Sequence, residues 1–216
     1  TPLDPDRTLA LSYVPAARRE AVAALWRVDA ALGAVLASGR EPAISQIKLA
    51  WWREALEGLD NAPPPAEPVL QAAAEHILPN GITGADLAAL EQGWAVLLAE
   101  AALETAELDA YAARGGILFA LTARLLGDAL GEPQRRAGEG WALADLARHS
   151  GQPDADAALA GARERLVDMR WPARLRPLGM LTALARRDVD RGLAALEPQG
   201  APARMWRMLR MRLTGR

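Results

Sequence analysis

The sequence predicts an all-α protein. Apolar residues make up 51% of the chain, and they are mainly Ala and Leu, while aromatic residues make up only 5%. This composition favours helices over strands. Apolar residues recur every three or four positions, and no run alternates with period two for the length of a strand. We therefore predict one helical bundle over residues 1–216, with eight or nine helices.

The first third of the chain contains two long predicted helices. Asp4-Pro5-Asp6 opens a short helical turn through Tyr13, and Pro15 suits the start of the next helix. That helix runs from Ala16 to about Ala37, and Gly39 ends it. Pro42 begins another helix, which ends near Leu59. We assign its buried stripe to Ile44, Ile47, Trp51, Ala55 and Leu59.

The rest of the chain continues as helices separated by Pro and Gly loops. A stiff loop is expected at Pro63-Pro64-Pro65, and Thr105 is a suitable N-cap. Gly115 and Gly116 lie inside a helix, where they predict close approach by a neighbouring backbone, a kink or a ligand. The predicted helical ranges are 67–78, 85–103, 105–126, 132–149, 154–170, 174–196 and 201–213.

Charge is unevenly distributed along the chain, and there is no cysteine. The absence of cysteine excludes disulfides, thiolate metal sites and Cys nucleophiles. Residues 161–216 hold 13 Arg and five acids, a net charge of +8, so residues 1–160 carry −10. The two parts either face each other in the fold or leave a basic surface for an anionic partner. We expect that partner to be something other than a nucleic acid.

Features of membrane insertion and secretion are missing from the sequence. No uncharged apolar run reaches 18 residues, so we expect no transmembrane helix. Thr1-Pro2-Leu3-Asp4 lacks the basic and apolar regions of a signal peptide. The expected location is cytoplasmic, or peripheral to the inner membrane if the basic segment 201–216 contacts a membrane surface.

Three segments, in order along the chain, resemble the squalene/phytoene synthase family. They extend over most of the chain, from about Arg7 to Leu184. The resemblance rests on Arg18-Arg19-Glu20-Ala21-Val22-Ala23-Ala24-Leu25-Trp26, Ile47-Lys48-Leu49-Ala50-Trp51-Trp52-Arg53-Glu54-Ala55-Leu56, and Tyr111-Ala112-Ala113-Arg114-Gly115-Gly116 with Leu125-Leu126-Gly127.

This resemblance implies an isoprenyl diphosphate synthase-like fold with a central cavity. Active members of the family join two prenyl diphosphates head to head with Mg²⁺, which aspartates from two facing helices hold. Hard Mg²⁺ prefers carboxylate oxygens, and two Asp four residues apart lie on the same helix face.

The chain departs from that pattern at both motifs. The first pair of aspartates aligns with Gly33 and Ala37, which cannot bind metal. The second motif aligns with residues 145–149, where Asp145 and Arg148 are the remnants. We therefore expect no metal cofactor. Mg²⁺ would be needed only if the chain were an active enzyme. The departures resemble the degenerate branch that includes a mitochondrial complex I assembly factor.

Asp29 and Asp145 are the candidate remnant catalytic residues. We expect Asp29 to be buried and paired with Lys48 or Arg53, and the alternative is a metal or diphosphate contact. Trp51 and Trp52 point to different faces of their helix. One is therefore expected in the core, and the other half exposed or against a cavity.

The candidate ligand-binding residues are Lys48, Trp52, Arg53, Arg148 and His149. Arg148 could grip a phosphate, or it could interact with the dipole of its own helix. His149 and His76 alone are weak evidence for a metal site.

Three functions are compatible with these residues. The first is a non-catalytic relative that binds a prenyl or other lipid, or a protein partner. The second is an active prenyl transferase using Asp29 and Asp145 with Mg²⁺. The third is a peripheral membrane protein held by residues 201–216.

Overall fold

Ten α-helices form the fold in the computed structural model, which describes residues 2–39, 41–99 and 101–216. No strand occurs in those ranges, so the all-α prediction is confirmed. There are ten helices rather than eight or nine because the segment predicted as a short helical turn through Tyr13 is a complete helix, α1. The helices are α1 (Pro5–Ser12), α2 (Ala16–Ser38), α3 (Pro42–Gly58), α4 (Pro68–His76), α5 (Gly84–Ala95), α6 (Thr105–Leu125), α7 (Glu132–His149), α8 (Asp154–Arg165), α9 (Arg176–Arg191) and α10 (Pro202–Thr214).

The long helix α2 lies at the centre of the bundle. It contacts α1, α3, α4, α5 and α6, and about half of its residues are buried. By length and composition α2 could cross a membrane, but 61% of its most apolar window is buried inside the protein. We therefore interpret α2 as the core helix. Every helix contributes residues to the apolar cluster around it.

Helices α6 and α7 approach each other closely at two glycines. A Cβ added to Gly115 would stand 2.3 Å from the backbone oxygen of Gly138, and one added to Gly138 would stand 2.7 Å from that of Gly115. The close approach expected from Gly115 is confirmed. Its partner is α7, which carries both Asp145 and His149.

Helix α3 presents a different face to the core than its sequence pattern predicted. Its buried residues are Ser45, Leu49 and Leu56, which face α5, whereas Ile47 is 71% exposed. The predicted stripe was wrong over most of its length, although Leu59 at its end is buried, because α3 is apolar on two sides and the packing uses the other one. The exposed members of that stripe are Ile44, Ile47 and Trp51.

Several helix ends also differ from the predicted ones. Helix α5 stops at Ala95 and a 3₁₀ turn, Val96–Leu98, follows it. Glu104, rather than Thr105, is the N-cap of α6, and its backbone N–H donates to the Glu107 carboxylate at 2.8 Å. Helices α8 and α9 are shorter than predicted, and 3₁₀ turns flank α9 at Ala173–Leu175 and Leu193–Ala195.

A buried ionic network fixes the C-terminal helix to the bundle. Arg204 of α10 bonds Asp6 of α1 and Oδ1 of Asp188 on α9. Arg148 of α7 donates to both carboxylate oxygens of Asp188, including the Oδ1 that Arg204 also contacts. The basic and acidic parts of the chain therefore face each other here. Burial of these charges is tolerated because each one is paired and hydrogen-bonded.

Candidate functional site

Asp29 lies at the centre of the bundle, fully buried on α2. Arg7 Nη1 donates a hydrogen bond to its Oδ2 at 2.9 Å, and Trp94 Nε1 donates to its Oδ1 at 3.0 Å. The Arg114 guanidinium donates to the same Oδ1. Burial alone would raise the pKa of Asp29, but Arg114 and Arg7 outweigh burial and lower it. Asp29 is thus an ionised carboxylate, and both of its oxygens accept hydrogen bonds.

The salt bridge predicted for Asp29 exists, but its partners were predicted wrongly. Lys48 and Arg53 lie on α3, exposed to solvent, and Arg53 approaches Glu91 at 3.9 Å instead. The orientation of α3 that leaves Ile47 exposed also places Lys48 and Arg53 on its solvent side, away from α2. Arg7 and Arg114 take their place.

Aromatic rings enclose Arg114. Its guanidinium carbon lies 4.2 Å from the ring centre of Trp94 and 4.5 Å from that of Tyr111. Its Nη2 also donates to the Tyr111 hydroxyl at 3.1 Å. Burial raises the pKa of that hydroxyl. Burial would lower the pKa of Arg114, but Asp29 raises it, so the pair stays charged.

Trp94 also occupies the space beside Gly33, one helical turn after Asp29. A Cβ on Gly33 would stand 2.7 Å from Cη2 of the indole ring, closer than any side chain tolerates. Gly33 is therefore the residue that lets Trp94 reach Asp29. No larger side chain fits at position 33 while the ring stays in place.

A cavity of about 470 Å³ opens next to this cluster. Gly33 and Ala37 of α2 face Asp145 and His149 of α7 across it, as the resemblance implied. Most of the wall is apolar. The other lining residues are Pro2, Asp4, Arg7, Ala30, Ala34, Leu36, Trp94, Leu97, Tyr111, Leu146, Ser150 and Gln199.

The charged groups on the cavity wall are mostly acidic. Asp145 is 20% exposed, and His149 Nδ1 lies 3.7 Å from one of its carboxylate oxygens. Asp4 also lines the cavity, and burial followed by the charge of Asp145 raises its pKa, although Arg7 opposes the rise. Arg7 is paired with both Asp4 and Asp29. Arg7, the arginine among the described residues of the wall, therefore has carboxylate partners already.

The other predicted ligand-binding residues lie elsewhere. Arg148 bonds Asp188 and the backbone oxygen of Glu197, and it borders a separate void of about 30 Å³. Arg53 borders a groove between α3 and α5, and Trp52 lies half-buried, 5.4 Å from the ring of Trp51. Trp51 is half exposed, as expected for one of the pair, whereas Trp52 packs against the core without being fully buried in it. Of the five predicted residues, only His149 lines the cavity.

Sequence reasoning missed four residues of the site: Arg7, Trp94, Tyr111 and Arg114. One signal was present, since Tyr111 and Arg114 belong to the segment that carried the family resemblance. An arginine between apolar residues and beside a Gly pair indicates a buried cation. Nothing local marked Arg7 or Trp94, because their role depends on how α1 and α5 pack against α2.

The donor set on the cavity wall does not fit a Mg²⁺ cluster. Such clusters need several carboxylate oxygens around the ion, and α2 contributes only apolar residues to the wall. Asp29 already accepts three hydrogen bonds. In the part of the chain that the structure describes, no three His, Asp or Glu side chains are grouped so that they could share a metal ion.

Comparison with known proteins assigns the family. The model for squalene/phytoene synthase matches residues 3–165, which end with α8. No curated protein and no solved structure matches the chain. The sequence motifs suggested a range from about Arg7 to Leu184, so the matched range begins slightly earlier and ends earlier. The chain, with its all-α isoprenoid synthase fold, belongs to the squalene/phytoene synthase family.

Proposed function

We propose that this family member is not a prenyl transferase and that its cavity holds an uncharged, apolar lipid. The observation that carries the proposal is the position of Trp94. Its ring fills the space beside Gly33, where the resemblance places the first metal-binding aspartate, and its N–H binds Asp29. Metal binding and this arrangement exclude each other.

The charge of the wall supports an uncharged ligand. A diphosphate would meet Asp4 and Asp145. Arg7, the one arginine among the described wall residues, is already shared between two carboxylates. Without metal ions, two carboxylates beside a diphosphate repel it strongly in a partly buried site. A prenyl alcohol or a similar neutral chain avoids that cost.

The size and composition of the wall suit such a chain. Small-molecule sites in proteins are typically about 300–1,000 Å³, mainly apolar, with a few polar groups. This cavity has that character, with a row of small residues on one side, Ala30, Gly33, Ala34 and Ala37. His149 and Ser150 at the opposite wall could bind a hydroxyl group.

The alternative is an active prenyl transferase that uses Asp29 and Asp145. Asp29 would first have to leave Arg7 and Arg114, which would strand two buried guanidinium groups. A role in assembling a respiratory complex, and the identity of a protein partner, remain predictions from the resemblance.

Titration calorimetry separates the two functions. Farnesol should bind, whereas farnesyl diphosphate should bind weakly, with or without Mg²⁺, and should yield no product on incubation. Ala34→Phe should fill the cavity and abolish farnesol binding. The matched control is Ala157→Phe on the exposed face of α8, which should bind like the wild type. Mg²⁺-dependent binding or turnover of farnesyl diphosphate would overturn the proposal.

A further inference from the structure

Helix α10 carries an exposed apolar stripe. Trp206 and Leu213 are each 70% exposed and Met205 is 46% exposed, although all three lie in a helix whose inner face is packed. A groove of about 240 Å³ extends the stripe onto α1. Its lining residues are Leu9, Tyr13, Pro202, Met205, Trp206 and Leu209.

The inner face of α10 is firmly attached, so the stripe is a fixed surface. Met208 and Met211 are buried, and Arg204 is held by Asp6 and Asp188. Turning the stripe inward would strand Arg204 as an unpaired buried charge, which is strongly unfavourable.

Arginines flank the stripe, and residues 201–216 contain no acidic residue. Within the described residues, the four from Arg207 to Arg216 have no carboxylate within 4.0 Å. They are Arg207, Arg210, Arg212 and Arg216. Burial, and then the charges of Arg210 and Arg186, lower the pKa of Arg207. Arg207 and Arg210 therefore repel each other, although the charges of Asp168 and Asp190 oppose the shift.

We propose that the outer face of α10 docks this protein on an anionic lipid bilayer. An apolar stripe with Trp, bordered by arginines on a helix parallel to the surface, is the arrangement of interfacial helices. Trp206, Leu209 and Leu213 enter the headgroup region, and Arg207 and Arg210 meet lipid phosphates. Because α10 carries an excess of positive charge, it should prefer a bilayer with anionic lipids to a neutral bilayer or a basic protein.

Vesicle co-sedimentation tests this. The wild type should bind vesicles of phosphatidylcholine with phosphatidylglycerol, bind phosphatidylcholine alone much less, and be released by high salt. Arg207→Gln and Arg210→Gln should each weaken binding about fivefold, since a basic residue near such a surface contributes about 1 kcal/mol. Trp206→Ser should also weaken it clearly.

Matched controls come from other helices. Trp51→Ser removes a tryptophan that is 45% exposed on α3, and Arg136→Gln removes an exposed arginine of α7. Both should bind like the wild type, and Ala34→Phe should too, because the cavity is not involved. Equal losses in Trp51→Ser and Trp206→Ser, or no preference for anionic vesicles, would overturn the proposal. So would a dimer that Trp206→Ser dissociates without any vesicle binding, because a second copy would then cover the stripe.

Discussion

Arg114 and Asp29 form an ion pair in which neither side chain exposes any surface to solvent. The pair joins α6 to α2 in the centre of the bundle, and Arg7 joins α1 to the same carboxylate. Removing one member leaves a buried charge with too few partners. The cluster therefore contributes strongly to the cohesion of the fold, and three of its members, Arg7, Trp94 and Tyr111, also line the cavity.

Arg114→Met should destabilise the protein by about 3–5 kcal/mol, the usual cost of breaking a buried pair. Urea unfolding followed by circular dichroism measures it. Arg114→Lys should recover little of the loss, because an ammonium group lacks the planar fork that reaches both Asp29 and Tyr111. Arg135→Met is the control, since Arg135 is 46% exposed and exposed pairs contribute less than about 1 kcal/mol. Similar losses for Arg114→Met and Arg135→Met would contradict the structure.

Gly33→Ala should also destabilise the protein, by about 1–3 kcal/mol, because its Cβ would meet the Trp94 ring. At Gly58, also helical, an added Cβ has nothing within 4 Å. Gly58→Ala should therefore be neutral or stabilising by up to about 1 kcal/mol. In a Trp94→Ala background the cost of Gly33→Ala should largely disappear, and full additivity in that double-mutant cycle would refute the contact.

The sequence was sufficient for the fold class because helix patterns are local. The bounds of α2 and α7 were predicted within one residue, and apolar spacing with Pro, Gly or Ser at the ends accounts for this. The contacts that residues make between helices could not be predicted from local patterns. The apolar pattern of α3 fitted two faces, and only packing against α5 decides between them. That choice exposed Ile47 and removed Lys48 and Arg53 from the neighbourhood of Asp29.

The candidate site was predicted in part for the same reason. Asp145 and His149 were identified by position within a family-like motif, and both line the cavity together with Gly33 and Ala37. Asp29 was identified as an acid on the apolar face of its helix, and it is buried there. The partners of Asp29 come from α1, α5 and α6, up to 85 residues away. Pairing over such separations depends on tertiary packing, which spacing in one sequence does not encode.

Glu91 should make stability depend on pH in the opposite sense to Asp29. Burial raises its pKa, although Arg53 partly opposes the rise. A carboxyl group whose pKa is higher in the folded than in the unfolded state favours the folded state below the unfolded-state pKa, about 4.3. That contribution is lost as the pH rises through the folded-state pKa. Glu91→Gln should therefore stabilise the protein at pH 7 and have much less effect at pH 4. Urea unfolding at both pH values measures this.

The control is Glu54→Gln, on the exposed side of α3, which should change stability little at either pH. If Glu91→Gln were destabilised at pH 7, the ion pair between Glu91 and Arg53 would outweigh the cost of burying the carboxylate.

Adjacent glycines of α6 should respond to the same substitution in opposite directions. In Gly115→Ala the new Cβ would stand 2.3 Å from the Gly138 backbone oxygen, which cannot move without shifting α7. We expect a loss of about 1–3 kcal/mol or more. In Gly116→Ala the nearest atom, at 3.2 Å, is Cγ of the exposed Arg135, which can rotate away. The gain in helix propensity, up to about 1 kcal/mol, should then make this variant neutral or more stable. Thermal and urea unfolding of the two variants give the comparison.

Because α7 carries Asp145 and His149, Gly115→Ala should also weaken farnesol binding while Gly116→Ala leaves it unchanged. Equal behaviour of the two variants would contradict the close approach of Gly115 to the Gly138 backbone.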